Sequence, residues 1–539
     1  MPTRTRRALV SLSLFFGTCA VAGSFVNGRV NAQSASDETT VRDSLHQFTD
    51  VYSVVQENYA DKLDSDHVDK VIYDGAIPSM LHVLDPHSNF YDPKAYAQMR
   101  EDQHGRYYGV GMHIQPQMSK DGVQRVIVVD TFEGSPAHKA GIRPGDEILS
   151  IDGKSADGMD SLGVSNLLKG TKGTHVAVQM NREGQDKPIT FDLVRDEIPR
   201  PSVDLAYFIK PGIGYIHVTQ FMETTSHEVG DALVKFGPEM TGLVIDLRAN
   251  PGGLLNEAVA MSDKFLNRGD IVVSQKGRSF QDVVYKANHG EVGKKFPIVV
   301  LVNRNTASAA EIVSGALQDH DRALIVGETT FGKGLVQTVF QVAENTGLAL
   351  TTYHYYTPSG RLIQRDYNGV SLYDYYYVRN DAKPADKSNL EVKQTDSGRT
   401  VYGGGGITPD EKIEYPKANG FQNNMAVHGV FFNFTKHYLA HRTIPKDFTV
   451  DDAVLTDFKA FLKQEKVDYN DNDFNANLPW LKSNIKGELF VSQFGANEGL
   501  RARTDDDPIL AKAITFMPEA LALEQTSDKT REAKTASLK

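Results

Sequence analysis

The chain has 539 residues, of which 40% are hydrophobic and 24% charged, and its net charge is −11. That length suffices for about three or four domains of roughly 150 residues each. The acidic balance argues for solubility and gives no sign of a nucleic-acid surface. The one cysteine, Cys19, lies near the N-terminus. Beyond it no disulfide can form and no thiol can serve as a nucleophile.

The first 32 residues read as an export signal. Arg4, Arg6 and Arg7 precede a stretch from Ala8 to Val26 that is apolar or small, and Val30-Asn31-Ala32 suits a cut before Gln33. About 19 such residues nearly reach across a bilayer, so an uncleaved anchor through residues 8–26 is the other reading. Either way the protein is expected in the cell envelope or periplasm, released or tethered to the inner membrane. A polar linker follows at 33–40. Leu45, Phe48, Val51, Tyr52 and Val55 then fall at helical spacing and open an N-terminal helical region, 40–101. Its second half reads as a helix ending at Asp85-Pro86. No polar group there stands out chemically.

From 102 to 198 the pattern changes to short strands and glycine turns. VQRVIVVDTF and DEILSIDG are strand runs, and VAVQMNREGQ is half a hairpin. SPAHKAG and LGVSNLLKG read as two short helices. This segment resembles the PDZ family through YYGVGMHI at 107–114, SPAHKAGIRPGDEILSIDG at 135–153 and LLKG at 167–170. The resemblance implies that a glycine loop near Tyr108, Gly109, Val110 and Gly111 holds a peptide's terminal carboxylate. The peptide would add a strand to the sheet edge that follows.

From 199 to 419 strands alternate with helices, which predicts a sheet with helices packed on it. GIGYIHV, TGLVIDLR, FPIVVLVN, ALIVGE and LALTTYHYYTP are the strand runs. Residues 367–405, rich in Tyr, Asp, Lys and Gly, look like an insertion before GITPD. After it come four helical stretches near 427–441, 451–466, 480–494 and 507–523, within a C-terminal helical region, 420–525. The polar tail, 526–539, is expected to be disordered.

The chemistry concentrates in NTASAAEIVSGALQD at 305–319 and GETTFGKGLVQ at 327–337. Ser308 opens an apolar helix, and no histidine is patterned around it. A hydroxyl needs a base to become a useful nucleophile. Lys333, between Gly332 and Gly334, can be that base only when neutral. Its ordinary pKa is about 10.4, so the site must lower it, mostly by burial. Gln337 could orient the amine without adding a charge. The amide of Ala309, at the positive end of the helix dipole, would face the reacting carbonyl. The turn Asn250-Pro251-Gly252-Gly253 is a source of a second donor. Alone, each feature has a plain reading: an N-cap serine, a solvated loop, a turn.

Together, in this order, they resemble the carboxyl-terminal processing protease family, the tail-specific serine peptidases. The matching blocks are LDPHS at 84–88, the PDZ-like segment, DLRANPGG at 246–253, NTASAAEI at 305–312, QD at 318–319, VGETTFGKGLVQ at 326–337, YYTPSGR at 355–361 and GGITPD at 405–410. The resemblance covers about residues 40–415. The resemblance implies an α/β, crotonase-like protease core with an inserted PDZ domain, an N-terminal helical region and a C-terminal helical extension. It matches Ser308 to the nucleophile, Lys333 to the general base and Gln337 to the residue that orients the lysine in some members. Gly252 or Gly253, with Ala309, match the oxyanion donors. Asp319 matches an acidic position implicated in other members, and its plainer role is at the helix end.

No metal or cofactor is expected. The expected partners are protein substrates held by their free C-termini, a regulatory adaptor, and further copies of the chain, since helical regions at both ends of such proteins often pair. The rival reading is a catalytically inactive peptide-binding or chaperone-like protein on the same fold. The intact Ser308, Lys333 and Gln337 set argues against it.

Overall fold

The computed structural model describes residues 35–61, 63, 70–118, 122–290, 295–378, 391–440 and 442–537. The export segment, 1–32, lies outside them. Among the described residues no helix is long and apolar enough to cross a membrane.

The N-terminal region holds helices Ala35–Asn58, Ile77–Leu84 and Pro93–His104, with the short strand Asn89–Tyr91 between the last two. Asp85 stops the second helix in extended conformation, as the following proline requires. The turn after it feeds Asn89–Tyr91 into the core as an edge strand beside Gly347–Tyr356.

The inserted domain is a six-stranded antiparallel sheet closed by the helices Pro136–Lys139 and Ser161–Leu168. Alternating burial on His175–Asn181 puts Val176, Val178 and Met180 into its core. Met112–Met118 is an edge strand of that sheet.

Among the described residues the protease core has two large sheets and a two-stranded ribbon, Val392–Gln394 with Thr400–Tyr402. In the first, Val203–Lys210 pairs antiparallel with Ile213–Val218, and Gly242–Asp246, Ile298–Val302, Leu324–Gly327 and Glu411–Lys412 follow in parallel. Gly242–Asp246 and Ile298–Val302 are buried at every position, as continuous apolar runs on a sheet covered on both faces must be. In the second sheet Gly347–Tyr356 lies between Asn89–Tyr91 and Ile271–Lys276 and also pairs with Leu335–Gln341. Every residue of the helix Ala309–Asp319 is buried.

Among the described residues beyond 419 there are eight helices rather than four. Those up to about Phe494 surround their own aromatic core, with Phe434, Phe458 and Phe474 at its centre. The last ones return to the protease sheet. Ile509, Leu510, Ile514 and Met517 cover Tyr215, Val244, Val299 and Val326 on the face opposite the Ser308 helix. The tail expected to be disordered is helical to Ser537. Its polar residues have partners on the core: Ser527 donates to the His320 carbonyl at 3.1 Å, and Arg531 pairs with Asp270 at 3.0 Å. Composition alone hides such a docked polar helix, because its ligands are distant in sequence.

Candidate active site

Two turns meet at the open end of the protease sheets. The first, Asn303–Ser308, is held from several sides: Thr306 donates its hydroxyl to the Leu247 carbonyl at 2.7 Å, and the Ala307 amide donates to the Asn250 carbonyl at 2.9 Å. Ser308 follows with φ 56° and ψ −116°, a conformation that costs a non-glycine residue energy and persists only where surroundings impose it. Such turns raise a side chain above the start of a helix.

The second turn, Phe331–Gly334, carries Lys333, which is 4% exposed. It is fastened to the first at three points. Oε2 of Glu311 accepts from the Ser308 amide at 2.8 Å and from the Lys333 amide at 2.9 Å. Tyr355 donates its hydroxyl to the Ser308 carbonyl at 3.1 Å and its amide to the Gly334 carbonyl at 2.9 Å. The Phe331 amide donates to the Thr306 carbonyl at 2.9 Å. The serine and lysine backbones are therefore set against each other by shared partners.

Glu311 is the residue that sequence reasoning missed. Besides Oε2, its Oε1 accepts from the Thr330 hydroxyl at 2.5 Å and the Gly332 amide at 2.7 Å. Burial pushes its pKa up, and these hydrogen bonds pull the other way without cancelling the effect. Its signal was visible as the capping-box spacing Ser308-x-x-Glu311.

The glycine turn comes close to Ser308. A Cβ on Gly252 would lie 2.7 Å from the Ser308 Cβ and 2.9 Å from the Ala309 nitrogen, so only glycine fits. The Gly252 amide itself donates to Asn250 Oδ1 at 2.8 Å. It is thus a close-approach residue whose amide is engaged within its own turn. The bridge to Phe221 uses the Gly252 carbonyl and the Leu254 amide. Among the described residues the amides of Gly253 and Ala309 have no protein acceptor.

Gln337 is 2% exposed, at an irregularity in the strand pairing, and donates to Thr351 Oγ1 at 2.9 Å. Thr351 continues to Ser88 Oγ at 3.0 Å, and Ser88 to Asp85 at 2.6 Å, so Gln337 is tied to the LDPHS turn. Asp319 is not brought to the pair. It sits at the other end of the Ser308 helix, roughly 16 Å away at 1.5 Å per residue. There it binds Arg361 at 2.6 Å and the Ser359 amide at 3.0 Å, a structural clamp on the YYTPSGR segment.

A cleft of about 1960 Å³ opens beside Lys333. His87, Arg248, Pro251 and Tyr376 line its core side, and His113 and Phe132 line it from the inserted domain. The N-terminal region therefore does contribute a polar group to the site, contrary to its reading as merely structural. Burial lowers the pKa of His87 well below the ordinary value, with the neighbouring Arg365 charge acting in the same direction. Arg248 holds Asp246 from the DLRAN turn and reaches Asp507 at 2.7 Å.

In the inserted domain Tyr108 lies in a strand paired with Glu197, ahead of the loop rather than in it. The carbonyls of Val110 and Gly111 turn inward, accepting from Ala137 at 2.8 Å and Phe132 at 3.1 Å. Among the described residues the amides of Val110 and Gly111 have no protein acceptor. Also among the described residues, no group of three or more His, Cys, Asp or Glu is placed to hold a metal ion.

The family model described as "Peptidase family S41" matches residues 212–371, and "PDZ domain" matches 110–193. "Probable PDZ-protease, C-terminal helical domain" matches 421–473. A carboxy-terminal-processing protease of Bartonella bacilliformis is 39% identical over 354 residues, which is 64% of this chain and 79% of that protein. The chain belongs to the carboxy-terminal processing proteases. The carboxy-terminal processing protease CtpA of Bacillus subtilis is 35% identical over 364 residues, covering 66% of this protease and 75% of its relative. Among solved structures, the photosystem II D1 C-terminal processing protease is 32% identical, over 59% of this chain and 89% of that one, at a TM-score of 0.33. This carboxy-terminal processing protease is accordingly a peptidase with an inserted PDZ domain and a C-terminal helical domain.

Proposed function

We propose that this protease cleaves exported proteins near their C-termini with Ser308 as nucleophile and Lys333 as general base. The observation that carries the reading is the single Glu311 oxygen shared by the Ser308 and Lys333 amides. Lys333 takes the Ser308 proton as the hydroxyl attacks the peptide carbonyl, then gives it to the departing amine. The amides of Ala309 and Gly253 stabilise the oxyanion, the former at a helix N-terminus. Water, deprotonated by the same lysine, releases the acyl group. Gln337, held by Thr351, helps to orient the amine.

A neutral lysine sets the sign of the pH dependence. Lowering the pH protonates the base, so casein hydrolysis is expected to fall on the acid side, tenfold per unit once below the governing pKa. A rate that stays flat down to pH 5 would remove Lys333 from this role.

The PDZ domain supplies selectivity. The Val110 and Gly111 amides hold the substrate's terminal carboxylate, and the chain lies along the open edge Met112–Met118. Amidating the C-terminus of a good peptide substrate is expected to raise KM about tenfold or more, since an uncharged amide cannot replace a carboxylate on backbone donors. Equal cleavage of acid and amide forms would refute the tether.

A further inference from the structure

The segment 367–405 interrupts the protease core, and its described part is built against the Lys333 turn. Helix Leu372–Tyr377 carries Tyr375, which is 3% exposed. Tyr375 packs edge-on to Phe331 with ring centres 5.5 Å apart. The Arg365 guanidinium lies 4.4 Å from the Phe331 ring and 4.5 Å from the Tyr375 ring, and donates to the Tyr375 carbonyl.

The polar contacts form one chain whose direction is determined. The Gly334 amide donates to Gln364 Oε1 at 2.8 Å, which fixes that amide's orientation. Gln364 Nε2 then donates to the Tyr375 hydroxyl at 3.1 Å. At the far end Tyr376 donates to the Pro86 carbonyl at 2.7 Å, because a carbonyl can only accept. Tyr376 must therefore accept from His87 Nδ1, 3.3 Å away. Neutral His87 is left with an acceptor at Nε2, which the Tyr375 hydroxyl fills at 2.9 Å. Every proton from Gly334 to Pro86 has a place, and a second proton on His87 would destroy the sequence. The charge beside His87 opposes that proton: the neighbouring Arg365 guanidinium is cationic. The Asp85 carboxylate is occupied by the His87 and Ser88 amides and the Ser88 hydroxyl, and Glu311 by its own four donors.

Glu311 grips the Lys333 turn from the Ser308 side. This chain of bonds holds it through the Gly334 amide and anchors it to the LDPHS turn. We infer that Tyr375 is a positioning residue for Lys333, holding the Phe331–Gly334 turn through Gln364 and locking it to His87. It contacts no reacting atom, and the inference rests on Lys333 being the base.

Tyr375→Phe removes the hydroxyl and keeps the ring between Phe331 and Arg365. Measured on casein, it is expected to lower kcat by about ten- to a hundredfold with KM little changed, the signature of a misplaced catalytic group. Gln364→Met should cost a similar factor, and the double variant should be no worse than either single one, because both break the same link. A wild-type kcat for Tyr375→Phe, or losses that multiply in the double variant, overturns the inference. If Tyr375→Phe does not fold, Gln364→Met alone decides, and a wild-type kcat there has the same meaning. Activity retained by Lys333→Met in the same assay overturns the assignment of the base and this inference together. Loss in Lys333→Met beside full activity in Tyr375→Phe overturns the inference alone.

Discussion

Replacing Ser308 by alanine, or Lys333 by methionine, is expected to reduce casein hydrolysis by at least about a thousandfold. Residues that act as one unit are not additive, so the double variant should be no slower than either single variant. Both changes should leave the fold intact. The Ser308 conformation is imposed by Glu311 and Tyr355 through its own backbone and by Asn250 through the preceding Ala307 amide, and alanine keeps every one of those contacts. The check is kcat/KM for the three variants beside their melting curves. A Ser308→Ala protein that still digests casein at a tenth of the wild-type rate would end the nucleophile assignment. A Lys333→Met protein that does so would require another base.

The second large effect is expected at Glu311. Four donors converge on its two oxygens: the amides of Ser308, Gly332 and Lys333 and the Thr330 hydroxyl. Only an acceptor at both positions satisfies them. A glutamine offers one oxygen and turns an NH₂ group towards two donors. Glu311→Gln should therefore destabilise the protein by about 3 kcal/mol, the scale of leaving buried donors unpaired. It should also lower kcat about a hundredfold by letting the two turns drift.

The pH dependence of this residue has a definite sign. Its folded-state pKa is raised, so the folded protein holds the Glu311 proton more tightly than the unfolded chain. Its contribution to stability is complete below the unfolded pKa and is lost as the pH rises through the folded one. The glutamine variant lacks this loss. Urea midpoints of the two proteins should thus converge as the pH rises from the ordinary carboxylate range through the raised folded-state value. A gap that widens over that range, or a variant with wild-type kcat, would contradict the account.

How far the sequence carries the reader differs by element. The buried strands Gly242–Asp246 and Ile298–Val302 are plain in their unbroken apolar runs, and the helix Ala309–Asp319 in its small and aliphatic residues. The PDZ elements follow from strand alternation and glycine turns. The Ser308 and Lys333 turns are legible because each is a local motif. What holds them together is not. His87 meets Tyr375 across 288 residues, and Thr351 meets Ser88 across 263. No periodicity or spacing marks such pairs. Gly252 shows a further limit: the sequence identifies a glycine turn, but only folding reveals that Asn250 consumes its amide. Strand Leu335–Gln341 was hidden for another reason, because Gln337 and Thr338 interrupt its apolar pattern on a fully covered surface.

The return of the final helices has a practical consequence for anyone cutting this protein into parts. A fragment ending near residue 420, where the α/β pattern stops, would strip Ile509, Leu510, Ile514 and Met517 from Tyr215, Val244 and Val299. It would also remove Asp507, which reaches Arg248 beside the glycine turn. The helical bundle can be regarded as an appendage only up to about Phe494. Whatever is trimmed for expression or crystallisation, the boundary belongs after Ser537, because the last two helices are the floor of the catalytic sheet.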